Sequence, residues 1–249
     1  MMDWSTVDML TDMYSSVQAR IIRDLSKDLT AWSRARMRAK LEEVNRILEA
    51  LDRRTLEWAR TEIPGFYTRG VILADRYVGA GTYGSVHQET VTRLARGLVR
   101  GLAAATEHVG LTVNDIFRSV STRSLAESMI SGETPRQAAK RIVSGLTKNG
   151  VEAFTDKAGR NWSLESYSRM VVRTTSREAN TQGVINRLVE RGRDLVEVSS
   201  HGGSCELCAP WDGAILSISG DSEHPSLAEA EADGLFHPNC AHVIVPYVP

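Results

Sequence analysis

Apolar residues recur three and four positions apart from the beginning of the chain, where Val7, Leu10, Tyr14, Val17 and Ile21 share one stripe of a helix. A second stripe, Met37, Leu41, Val44, Leu48, Leu51 and Trp58, keeps this spacing with Thr55 as its polar interruption, while Arg, Lys and Glu fill the opposite face. The run is too short for an extended coiled coil, so both helices are expected to pack into one bundle. A glycine-rich break covers residues 79–85. Beyond it, Val91, Leu94, Leu98, Leu102, Ala105 and Val109 predict a helix that stops at Gly110, followed by a shorter helix over 113–130. For a helix over 134–150, Thr134 supplies the cap, Pro135 the first turn, Gln137 the capping-box partner and Gly150 the terminator.

The texture changes near residue 150. Residues 153–155 and 161–163, flanking a turn at 156–159, predict a short β-hairpin, and 164–190 predict a long helix ending at Gly192. Strand character follows at 195–199, 214–218 and 243–248, in a region otherwise dominated by glycine, serine and proline. The expected fold class is mainly α with a C-terminal α+β module. A helical domain over 1–150 precedes a hairpin, long helix and small Cys/His-rich domain over 151–249.

A hydrophobic content of 42% over 249 residues is enough to build real cores. No apolar run approaches the roughly 18 to 20 residues of a membrane-spanning helix, and the first residues lack a basic-then-apolar pattern. Neither secretion nor membrane insertion is expected. The net charge of −1 conceals an asymmetry, because residues 201–249 hold seven Asp/Glu and no Lys or Arg, leaving +6 on the rest. Twelve Lys/Arg against five acids fall within 134–193. A solvated helix face is the ordinary explanation of such a bias, and a surface facing nucleic acid is the functional one.

Two motifs invite chemistry. The string Gly79-Ala-Gly-Thr-Tyr-Gly-Ser-Val86 matches the loop that covers ATP phosphates in protein kinases. Here it opens a helix, the next lysine is Lys140, and no His-Arg-Asp, Asp-Phe-Gly or Gly-Lys-Ser/Thr occurs, so it reads as a flexible connection between helices.

The second motif is the clustering of all three cysteines and four of the six histidines between His201 and His242. An odd number of cysteines at one end of the chain does not resemble a secreted disulfide framework. Cys205-x2-Cys208 brings two sulfurs to one side of a tight turn, and His237-x2-Cys240 repeats that spacing. Cys205, Cys208, His237 and Cys240 therefore form a Cys3His set suited to tetrahedral Zn²⁺, with His201 and His242 as substitutes or as hydrogen-bonding groups behind the ligands. A closed set of four is structural, contributing about 10 to 16 kcal/mol of apparent binding free energy in zinc-finger peptides.

Catalytic patterns are missing. The one His-x-Glu, His87-Gln-Glu89, lies more than a hundred residues before the knuckle, there is no His-Glu-x2-His, and a cysteine beside a histidine on one turn is weak evidence for a nucleophile. No catalytic residue and no enzyme is expected. Two rivals remain: a zinc-dependent hydrolase, with three protein ligands and an open position for water, and a DNA-binding accessory protein using 134–193.

From Phe154 onward the chain resembles the phage minor capsid proteins, relatives of the head morphogenesis proteins typified by the F protein of phage Mu. The resemblance is carried by Phe154-x-Asp156-x2-Gly159-Arg160-x-Trp162, Tyr167 and Met170 leading to Arg173-Thr174, and Asn180-x-Gln182-Gly183. It continues through Val198-Ser-Ser-His201, Ala209-Pro-Trp-Asp-Gly213 and Gly234-Leu-Phe-His-Pro-Asn-Cys-Ala-His242, with Pro246-Tyr247. It covers roughly the last 100 residues. The resemblance implies a virion component present in few copies at the portal vertex inside the head. Portal, capsid or scaffold proteins would be its partners and procapsid assembly, DNA packaging or ejection its role, with assembly in the host cytoplasm. Many relatives have Gln in place of Asp212 and Arg in place of Ala241, and the Cys205/Cys208 pair is not general, so zinc rests on spacing alone. Arg173 is a candidate partner for Asp212 or for backbone carbonyls of the terminal module, its alternative being an exposed helix arginine.

Overall fold

The computed structural model describes residues 4–27, 34–82, 84–131, 134, 137, 144, 154–155, 159–200, 205–238 and 240–248. Among these residues the order is α1 (Ser5–Lys27), α2 (Arg34–Val78), α3 (Ser85–Ser131), β1 (Phe154–Thr155), β2 (Asn161–Trp162), α4 (Leu164–Glu190), β3 (Leu195–Val198), β4 (Ile215–Ser217), α5 (Leu227–Ala232) and β5 (Ile244–Pro246). The fold is mostly helical with a small antiparallel sheet near the C-terminus, as the residue pattern predicts. Two compact units form, Met1–Glu57 with Val99–Arg169 and Trp58–Leu98 with Met170–Pro249. Each draws on two stretches of chain. Helices of 45 and 47 residues, α2 and α3, are long enough to serve a different core at each end.

In the first unit the predicted stripes are the core. Val7, Leu10, Tyr14 and Ile21 are buried, as are Val44, Leu48 and Leu51. Thr55, the polar interruption, is 1% exposed, and its hydroxyl pairs with the Tyr14 hydroxyl at 2.8 Å while donating to the Leu51 carbonyl at 3.0 Å. Its polar atom is therefore satisfied where an apolar neighbour would have left Tyr14 unpaired. Burial pushes the Tyr14 hydroxyl pKa up.

The helix expected to stop at Gly110 does not stop. α3 runs on to Ser131 and absorbs the separate helix predicted over 113–130. One glycine costs a helix interior only about 1 kcal/mol relative to alanine, and the buried stripe continues through Val109 and Val113. The 134–150 helix falls largely outside the described residues. Its predicted start is nevertheless seen, since Gln137 N donates to Thr134 Oγ1 at 3.3 Å and Thr134 N to Gln137 Oε1 at 2.9 Å. The hairpin pairs Phe154 with Trp162 and Thr155 with Asn161, its turn residues 156–158 lying outside the described set. Ser163 then caps α4 by accepting from Ser166 N at 3.0 Å.

In the second unit α2 and α4 meet at two glycines. A Cβ on Gly70 would stand 2.0 Å from the Asn180 carbonyl oxygen, and one on Gly183 would stand 2.2 Å from that of Tyr67. Asn180 Nδ2 donates to the Phe66 carbonyl at 3.3 Å across the same crossing.

The 79–85 connection is clamped rather than flexible. Arg187 of α4, 1% exposed, donates to the carbonyls of Gly79 and Thr82 at 3.3 Å each and to Asp75 and Glu190, while Arg191 donates to the carbonyls of Gly79 and Ala80. Three carbonyl oxygens of the loop thus face cations, and one N–H, that of Gly84, donates to the Glu190 carboxylate at 3.1 Å. A phosphate-binding loop aims N–H groups at an anion, so this geometry sets it apart from the kinase loop its sequence matches.

Below these helices lies the three-stranded sheet, in the order β4-β3-β5, all antiparallel, pairing Val196 with Leu216 and Pro246. Alternation along β3 buries Val196 and Val198. They pack with Ala74, Val184 and Leu188 of the helices and with Leu216, Leu227, Leu235 and Ile244. Helix α5 was not foreseen in a glycine- and serine-rich segment. Its signal is Ser226-x2-Glu229, which forms a complete capping box.

Candidate metal centre

The centre is assembled from two tight turns. In the first, the amides of Cys208 and Ala209 both donate to the Cys205 carbonyl, at 3.0 and 2.9 Å, folding the two-residue spacer back on itself. A 3-10 turn at Ala209–Trp211, with Pro210 inside it, continues the bend. In the second, Cys240 N donates to the His237 carbonyl at 3.0 Å, repeating that closure. This turn follows Gly234, at φ +110°, and Phe236, at φ +64°, which reverse the chain after α5.

The turns meet. Cys205 Sγ lies 3.0 Å from His237 Nε2, Cys208 Sγ lies 3.5 Å from Cys240 Sγ, and Cys240 Sγ lies 3.4 Å from His242 Nδ1. The donor atoms form two overlapping sets, Cys205–Cys208–His237 and Cys208–Cys240–His242, each with all its atoms within 4.8 Å of one another. Sulfur ligands held about 2.3 Å from a tetrahedral zinc ion stand about 3.8 Å apart, close to the Cys208–Cys240 separation. Such a cluster can hold a metal ion. Residue 201 lies outside the described residues.

Electrostatics separates the thiols. Cys205 is exposed, and the Cys208 amide pointing at its sulfur, with the His237 ring beside it, brings its pKa down to about 7. Cys208 is buried, and that burial, together with the thiols of Cys240 and Cys205, pushes it up to about 12. A buried thiol this hard to ionise becomes a thiolate when a cation takes the place of its proton.

Arg177 is the residue that sequence reasoning missed. It is buried, and donates to the carbonyls of Phe236 at 2.8 Å, His237 at 3.3 Å and Cys240 at 3.2 Å, holding the second turn at both ends. Burial lowers its pKa, opposed by Cys240. Donation to carbonyls of the terminal module, for which Arg173 was a candidate, is made by Arg177 one helical turn later; Arg173 is exposed. The signal was available: Arg177, Thr181, Val184 and Leu188 follow one another four, three and four apart on the buried face of α4. Asp212 accepts from Ser200 Oγ at 3.2 Å and lies 3.2 Å from His242 Nε2.

With this geometry in place, the sequence pattern of the family described as phage minor capsid protein 2 matches residues 4–249. The chain belongs to that family. The match extends the resemblance of the last 100 residues through the N-terminal helices. A protein of Lactococcus phage LL-H described as "Structural protein" is 25% identical over 143 residues, spanning 53% of this chain and 38% of that protein. The chain therefore covers well under half of that relative's length. No solved structure matches the chain. Among the described residues no helix is long and apolar enough to cross a membrane.

Proposed function

We propose that the chain is a non-enzymatic assembly component of the phage head, seated inside the capsid at the portal vertex and acting in procapsid assembly and in DNA packaging or ejection. The observation that carries this reading is the family match over 4–249. The helical surface supplies a means of docking: Met9, 55% exposed, with Met13, Val17 and Ile47, lines a groove between α1 and α2. The test is cryo-electron microscopy of procapsids carrying a labelled chain. Density confined to the portal vertex is expected, and density spread over the shell, or none, overturns the proposal.

The Cys/His cluster is read as a structural Zn²⁺ site, held by the thiolates of Cys205, Cys208 and Cys240 and by one imidazole, from His237 or His242. The donor chemistry favours zinc, because thiolates with imidazole in a reducing compartment suit that ion. Zinc here ties down a module that also has an apolar core. Removing it should loosen the two turns and lower the melting temperature without abolishing the helical circular dichroism, unlike the collapse of an isolated zinc finger.

The DNA-binding rival draws on the basic segment 134–193, in which Arg177 and Arg187 are buried and Arg191 donates to loop carbonyls, while Arg160, Arg169, Arg173 and Arg193 are exposed. Binding that weakens steeply as salt rises would support it, and no detectable affinity would remove it. The hydrolase rival requires a metal with three protein ligands and water. Extended X-ray absorption on the zinc-loaded chain counts the ligands and separates it from a closed structural site.

A further inference from the structure

Two groups of three donors share Cys208, Cys205–Cys208–His237 and Cys208–Cys240–His242, five donors in all where a tetrahedral ion takes four. Both imidazoles are oriented as ligands. Pro238 O lies 2.8 Å from His237 Nδ1, which places the proton there and leaves the Nε2 lone pair facing Cys205. Asp212 Oδ1 does the same for His242 Nε2, leaving the Nδ1 lone pair facing Cys240. Their surroundings differ. His242 is 1% exposed, whereas His237 is half-buried beside exposed Cys205.

The backbone differs as well. Next to His242, Ser199 N donates to the Val243 carbonyl at 2.8 Å and Val243 N donates to Ser199 Oγ at 3.0 Å, fixing that stretch along the edge of β3. The single residue between Cys240 and His242 puts both side chains on one face of an extended segment. Asp212 is itself held by Ser200 Oγ, so a chain of hydrogen bonds fixes the His242 ring. A carboxylate behind a histidine is the arrangement that sets tautomer and ring orientation in metal sites and raises ligand basicity.

Resting on the zinc reading above, we infer that His242, positioned by Asp212, is the fourth ligand beside Cys205, Cys208 and Cys240, and that His237 is a dispensable outer donor. Asp212 acts through His242 and touches no metal. It is a positioning residue.

The experiment uses the full chain loaded with zinc. Native mass spectrometry first establishes whether metal is bound, and wild-type protein without zinc sinks the metal reading itself. Given a bound ion, long-range ¹H–¹⁵N correlation reads which ring nitrogen coordinates. Coordination through Nδ1 of His242, with its Nε2 protonated, is expected, and coordination through Nε2 of His237 overturns the inference. Competition with a chelator adds an affinity readout. Asp212→Asn, which preserves shape, should weaken zinc binding by about 10- to 100-fold, and His237→Ala should change it by no more than a few-fold. An unchanged affinity for Asp212→Asn, or loss of zinc from a folded His237→Ala, counts equally against it.

Discussion

Arg177 Nη2 donates to the carbonyl oxygen of Phe236 at 2.8 Å, and the same guanidinium stacks 5.1 Å from the Phe236 ring centroid. Phe236 is the non-glycine residue at positive φ among those described, and its strained backbone persists because the arginine holds it from both sides. The candidate metal-binding residues His237 and Cys240 on the following turn depend on that hold. Arg177→Met keeps the packing volume but leaves three carbonyls without their cation. It should cost about 3 kcal/mol in urea unfolding of the full chain and weaken zinc binding as well. An Arg177→Met chain as stable as wild type would show that the turn stands by itself.

The α2–α4 crossing makes a prediction of opposite signs. At Gly70 and Gly183 a methyl group meets partner backbone at 2.0 and 2.2 Å, which no rotamer change relieves. Alanine at either position should destabilise by about 3 kcal/mol or more. Gly97 also lies inside a helix, but nothing stands within 4 Å of its would-be Cβ. There Gly97→Ala should stabilise by up to about 1 kcal/mol, through helix propensity alone. Chemical denaturation of the three variants checks magnitude and sign together.

These glycines mark the limit of what the chain discloses by itself. Periodicity located the cores, because a three-and-four stripe such as Val7–Ile21 states which face is buried without naming its partner. Local chemistry located the hairpin, the capping box at Thr134 and the two knuckles, since each is decided within a few residues. What escaped was set by long-range contact. Gly110 resembles a stop until its continuing buried stripe is seen, and Gly183 is a short string in a resemblance until Tyr67 O is found where a side chain would go. Arg173 and Arg177 are equivalent in composition and one turn apart, and only the position of the second turn of the metal centre decides between them.

Arg187 offers a test of the clamped loop. Arg187→Met leaves Asp75 and the Gly79 and Thr82 carbonyls without their buried partner, and should cost about 3 to 5 kcal/mol. Cleavage of 79–85 by a protease of broad specificity should accelerate. Asp75→Leu added to Arg187→Met removes the stranded carboxylate, so the double variant should be more stable than the sum of the single losses predicts. Strict additivity in this cycle would mean that the two side chains act independently.

Asp194 gives the acid response of the sheet a defined sign. Burial opposes its ionisation, but donation from Ser217 Oγ and from the Ser219 amide at 2.7 Å outweighs that and holds its pKa below the ordinary 3.8. A carboxylate depressed in the folded state contributes stability that is fully present above its unfolded value and is lost as pH falls through the folded one. Asp194→Asn should therefore destabilise the chain most near neutrality, with the difference from wild type shrinking as pH drops from about 5 to below 3. Glu190 and Glu229 are depressed too, so the difference between the two proteins, not the wild-type curve, isolates this residue. Chelator present throughout keeps proton competition for the thiolates out of the comparison. A difference that widens on acidification would place the Asp194 pKa above its ordinary value, and the serine donors would then be too weak to overcome burial.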